Sequence, residues 1–184
     1  KYPQAAFPYE RLVRENAERG VGQPELELID TGIFDDDRYF DVFVEYAQAN
    51  PEDILMRVTA VNRGPEPAPL HLLPQLCFRN TWSWKTGAGK PELRDVDETE
   101  VLVEHAPLGA YRLYVDGSPE LLFTGNETNV RTLHGVDVPG YFKDAFHERV
   151  VNGNAAAVNP ARRGTKMAAW YQQQVAAGGS LEIR

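Results

Sequence analysis

Alternation of apolar and polar positions dominates the chain. Ile54, Met56, Val58 and Ala60 alternate with Leu55, Arg57, Thr59 and Val61, the period-two signature of a strand with one buried face. Asn62 to Pro69 then concentrates turn formers, and Leu70, Leu72, Leu76 and Phe78 resume the alternation. The pattern predicts a β-hairpin from Ile54 to Trp84. Phe40, Val42, Val44 and Tyr46 mark a strand before it, closed by the turn Asn50-Pro51-Glu52-Asp53. Further strands are expected at Glu100–Glu104, Tyr111–Val115, Leu121–Thr124 and Thr165–Val175, with Ala176 to Ser180 turning into a last one. Lys85 to Asp97 reads as a long surface loop and Glu25–Ile29 as a short strand.

Two segments switch to helical spacing. Tyr9, Leu12, Val13 and Ala17 share one face of a short helix over Tyr9–Arg19, with Pro8 in its first turn and Gly20 at its cap. Phe142, Ala145, Phe146 and Val150 do the same across Tyr141–Val151, ended by Asn152-Gly153. The fold class expected is mainly β, a two-sheet antiparallel β-sandwich with one or two short peripheral helices.

Composition narrows the partners more than the chemistry. The 184 residues suit one domain over 1–184. A net charge of −8, with 19 scattered Lys and Arg, argues against nucleic acid and anionic membranes as partners. No run of about 18 apolar residues is present to span a bilayer. The single cysteine, Cys77, excludes an internal disulfide framework and fits a reducing, cytoplasmic setting; its place in an apolar strand favours a packed thiol. The chain opens on Lys1-Tyr2-Pro3 and closes on the alternating Leu181-Glu182-Ile183-Arg184, which reads as a piece of a longer polypeptide.

Motifs with chemical content are few. His71, His105, His134 and His147 lie far apart, with no i, i+4 pair for a metal, so neither metal nor cofactor is expected. Asp35-Asp36-Asp37 lacks the ordered donor spacing of a calcium loop and reads as a solvated acidic turn. Gly87-Ala88-Gly89-Lys90 lacks the Ser or Thr of a phosphate loop. No Ser sits in a nucleophile elbow, and 27 acids offer no preferred pair for glycoside hydrolysis. Asn126-Glu127-Thr128 matches a glycosylation acceptor and carries little weight without a secretory route.

The strongest candidate surface is Phe78-Arg79-Asn80-Thr81-Trp82-Ser83-Trp84. On a strand, Trp82 and Trp84 would face the same way, offering rings for sugar stacking with Arg79 and Asn80 as hydrogen-bond donors. The same rings also suit sheet packing or an interdomain contact.

Four strings, Lys1 to Tyr9, Phe34 to Tyr46, Phe78 to Trp84 and Asn159 to Lys166, together resemble the amino-terminal region of bacterial glucosidases similar to glycoside hydrolase family 63, the processing α-glucosidase relatives. The resemblance implies a supersandwich-like β domain preceding an (α/α)6 barrel. The barrel would hold the acid and base carboxylates that hydrolyse an α-glycosidic bond with inversion, so no catalytic residue transfers to this chain. The domain would then be a non-catalytic buttress that packs on the barrel of the same polypeptide and walls part of an oligosaccharide cleft. Arg79, Asn80, Trp82, Trp84, Tyr2 and Tyr9 are the residues expected at that surface. Competing readings are an autonomous carbohydrate-binding module and a sugar-epimerase-like sandwich, the latter needing His71 or His105 to converge with a carboxylate.

Overall fold

The computed structural model describes residues 1–84 and 89–184. The chain is mainly β and antiparallel throughout, with three short α-helices among the described residues. The strands are β1 (Tyr2–Pro3), β2 (Tyr39–Asn50), β3 (Asp53–Asn62), β4 (Ala68–Leu72), β5 (Gln75–Cys77), β6 (Glu92–Asp95), β7 (Glu100–His105), β8 (Gly109–Tyr114), β9 (Glu120–Thr124), β10 (Arg163–Gly164), β11 (Lys166–Val175) and β12 (Ser180–Ile183). The helices are α1 (Tyr9–Ala17), α2 (Val130–His134) and α3 (Ala145–Val151). The chain divides into two compact units, Lys1–Leu70 with Gln173–Arg184, and His71–Gln172.

The strands fall into three sheets, ordered β1-β2-β3-β12, β10-β6-β7-β8 and β4-β11-β5, with β9 also pairing with β11. The expected β3–β4 hairpin does not form. β3 pairs instead with β2, with Val42 opposite Ala60 and Tyr46 opposite Met56, and β4 belongs to the sheet of β11. Only Pro51 and Glu52 separate β2 from β3, so the turn closes that hairpin locally. The eight residues from Asn62 to Pro69 instead carry the chain into another sheet.

The unit His71–Gln172 is a sandwich. Leu93, Val101 and Val103 from one sheet pack on Leu121, Phe123, Met167 and Ala169 from the other. The alternate residues of the same strands, Leu122, Ala168 and Trp170, point the opposite way and are covered by Ala145 and Phe146 of α3 and by Val158. Strand β9 and residues Met167 to Trp170 of β11 are therefore buried on both faces, which explains why these stretches read as near-continuous apolar runs. Leu93 is fully buried on β6, inside the segment expected to be loop. A single apolar residue between charged neighbours is too short an alternation to announce a strand.

The other unit is held at its base by one polar residue. Asn62 is fully buried; its amide donates to the carbonyls of Glu66 (2.8 Å) and Val175 (3.0 Å). Its Oδ1 accepts from Gln4 Nε2 (2.6 Å) and the Gly64 N–H (2.8 Å). Every hydrogen-bonding capacity that burial would leave costly is thus met. Helix α1 forms where expected but ends at Ala17, with Glu18 and not Gly20 as its cap, and buries none of its residues. Glu25–Ile29 is not a strand: a 3-10 turn occupies Leu28–Thr31, closed by a capping box between Glu27 and Asp30.

Candidate functional site

The aromatic segment adopts a 3-10 turn over Trp82–Trp84, not a strand, so its two indoles do not share a face. Trp82 is buried, and its Nε1 donates to Glu127 Oε1 at 3.0 Å. Lys90 Nζ donates to the same oxygen at 2.5 Å. Burial pushes the Glu127 carboxyl upward, but the Lys90 and Trp82 hydrogen bonds together hold it below the usual glutamate range. Trp82 is accordingly a packing residue.

Trp84 turns outward, 64% exposed, with the Arg79 guanidinium 4.9 Å from its ring. One indole face is therefore already occupied by a cation. Asn80 is half-buried; its carbonyl accepts from Ser83 Oγ at 3.0 Å, and its Oδ1 is buried without a hydrogen-bond partner among the described residues. Tyr2 lies exposed on β1, and Tyr9 is exposed on α1 with its ring 4.4 Å from that of Phe7. The structure thus joins Arg79 to Trp84 and separates Trp82 from both.

Other candidates resolve into structural roles. The Asn126 amide donates to the Phe78 carbonyl at 2.7 Å, which ties it into the fold and removes it as a ready glycan acceptor. His71 Nδ1 accepts from Trp170 Nε1 at 3.1 Å, while His105 stacks on Phe78 with centroids 4.8 Å apart. Neither histidine is paired with a carboxylate among the described residues. Asp36 and Asp37 occupy left-handed backbone in an exposed turn. Among the described residues no group of three or more His, Cys, Asp or Glu could hold a metal ion. The Gly87-Ala88-Gly89-Lys90 motif falls partly outside the described residues; Lys90 itself is the partner of Glu127. Cys77 is an exposed free thiol rather than a packed one, since β5 presents it away from the core.

A second surface went unread in the sequence. From the Phe43–Thr59 pair to the tip, the β2–β3 hairpin carries apolar side chains on both faces, with Val44, Tyr46 and Ile54 on one and Phe43 and Leu55 on the other. All five are exposed, Tyr46 at 72% and Ile54 at 66%. An open depression beside them is lined by Val42, Phe43, Val44, Glu45, Thr59 and Val61, and Glu45 is its one carboxylate. That carboxylate is engaged by Arg57 at 2.9 Å. The signal was the consecutive apolar run Ile54-Leu55-Met56, which no strand with a single buried face requires.

Fold and surfaces together define a mainly β, antiparallel chain with an extended apolar exterior and no metal-holding cluster among its described residues. No protein-family model matches it, and no solved structure does. It is similar to the uncharacterised protein YMR196W of Saccharomyces cerevisiae, 36% identical over 208 residues that cover 93% of this chain and 19% of that protein. The chain therefore spans about a fifth of the length of that relative. No helix among the described residues is long and apolar enough to cross a membrane.

Proposed function

We propose that this chain is a non-catalytic β-sandwich domain of an α-glucosidase-like glycoside hydrolase, packing against the catalytic barrel of the same polypeptide. The observation that carries this reading is the exposed apolar hairpin formed by Phe43, Val44, Tyr46, Ile54 and Leu55. Apolar surface of that kind on a soluble chain marks an interaction site, and burying each such side chain stabilises an interface by roughly 1.5–3 kcal/mol. The hydrolase assignment rests on the resemblance of the four sequence strings; a relative about five times longer supports a larger parent chain. The barrel, the substrate and the cytoplasmic setting belong to the proposal, the last supported by an exposed, unpaired Cys77.

A second reading, a carbohydrate-binding role, is favoured by one observation, the exposed Trp84 ring carrying Arg79. Hydrolysis of nitrophenyl α-glucosides separates the readings from an autonomous enzyme. The 184-residue chain should give none, and the full-length polypeptide should turn over. Turnover by this chain, lost on replacing one of its carboxylates, overturns the non-catalytic assignment. Titration calorimetry with maltose, nigerose and mannose oligomers should give no heat for the buttress and a saturable isotherm, abolished by Trp84→Ala, for the binding module.

A further inference from the structure

The backbone of the exposed hairpin carries a second unsatisfied requirement. In an antiparallel strand, alternate residues direct both N–H and C=O to the same side. The Asn62 N–H donates to the Gly179 carbonyl and the Asn62 carbonyl accepts from Gly178, so the even-numbered residues of β3 face the β12 side. β12 pairs along this edge with Leu181 opposite Ala60 and Ile183 opposite Val58. The next two edge-facing residues, Met56 and Ile54, have no neighbouring strand among the described residues.

From this we infer that the Ile54–Met56 edge of β3 is a strand-acceptor site, filled by an extended segment of the same polypeptide that prolongs β12 in antiparallel register. Three observations support that occupant. β12 runs toward the hairpin tip, and its register with Val58 delivers any continuation directly to Met56 and then Ile54. The side chains of Met56, Ile54 and Tyr46 lie on the same face as Val58 and Ala60, which are buried at the base of the sheet. A prolonged β12 would extend that buried strip over an exposed one. The edge also lacks the blocking devices of a terminal strand, having neither a proline nor a lysine between Asp53 and Asn62. Apolar residues in the arriving strand should fall opposite Met56 and Ile54.

The inference rests on the proposed larger polypeptide, but its test does not depend on hydrolysis. Amide hydrogen exchange is followed by mass spectrometry in the full-length polypeptide and in the 184-residue chain. Ile54 and Met56 amides should exchange at least about tenfold more slowly in the full-length polypeptide. Met56→Pro removes one edge donor whose N–H β2 does not use, and in the full-length protein it should abolish the added protection at Ile54 while leaving Val58 protected. Equal exchange at Ile54 and Met56 in both proteins overturns the inference. So does protection in the 184-residue chain that rises with concentration, which would make a second copy the occupant. Protection without α-glucosidase activity would sustain the strand-acceptor site and sink the hydrolase reading.

Discussion

Trp82 and Glu127 are joined by a 3.0 Å hydrogen bond between the indole N–H and one carboxylate oxygen, the oxygen that also receives the Lys90 ammonium. Three residues remote in sequence are thereby pinned together, and the pin carries a pH dependence. Because the folded-state carboxyl titrates below its unfolded value, its contribution is present above the unfolded range near pH 4.5 and is lost as pH falls through the folded value. The melting-temperature difference between the wild type and Glu127→Gln should therefore be largest at neutral pH and should shrink on acidification below about 4.5. A difference that stays constant from pH 7 to pH 3 would exclude this linkage. Trp82→Phe keeps the packing and deletes the donor, and should cost about 1 kcal/mol in urea unfolding.

Asn62 makes four side-chain hydrogen bonds while fully buried, so its removal is costly. Asn62→Ala strands the Gln4 amide, the Gly64 N–H and the Glu66 and Val175 carbonyls at once. A loss of about 2–4 kcal/mol is expected, read as a lower urea midpoint. Asn62→Asp should fare no better, since a carboxylate would face the Glu66 and Val175 carbonyls with acceptors only. A midpoint unchanged in either variant would mean that the network is not what closes the base of that unit.

Gly164 tests the close approach of β10 to β9. A Cβ at this position would lie against the Thr124 carbonyl oxygen and carbon, which are backbone atoms of a buried residue and cannot rotate away. Gly164→Ala should destabilise by about 1–3 kcal/mol although alanine is ordinarily favoured over glycine inside a strand, whereas Gly117→Ala, in open space, should show only the smaller strain of its left-handed backbone. Equal effects at the two sites would contradict the packing.

Strand identity was legible because alternation is a local signal; strand partnership was not. Tyr39–Asn50 and Asp53–Asn62 were readable as strands, and the turn between them names their partner because it is too short for anything else. Ala68–Leu72 was equally readable, yet it joins β11, about a hundred residues away, and no local feature encodes that choice. β8 and β9 repeat the lesson, since the tight Asp116–Pro119 turn connects two different sheets of one sandwich and not a hairpin. At the candidate surface, the residue types Arg79 and Trp84 are visible in the sequence, but alternation puts Trp82 on the same face as Trp84 only in a strand, and a 3-10 turn stands there. The inward turn of Trp82 depends on Glu127, a residue 45 positions later.

Tyr171 supplies a spectroscopic test of the sandwich itself. Its hydroxyl donates to the Asp116 carbonyl at 2.7 Å, and burial, with a smaller effect from the Asp116 charge, pushes the phenol up to about 12. The folded value lies above the ordinary one near 10, so its stabilising contribution is complete below pH 10 and is lost as pH rises toward 12. In an absorbance titration at a tyrosinate wavelength, Tyr171 should ionise as a late step near 12, above the ordinary tyrosine value near 10. Tyr171→Phe should remove that late step and flatten the fall in stability between pH 10 and 12. Absence of such a late step in a protein still folded by circular dichroism would show that Tyr171 of β11 is not tied to the turn after β8.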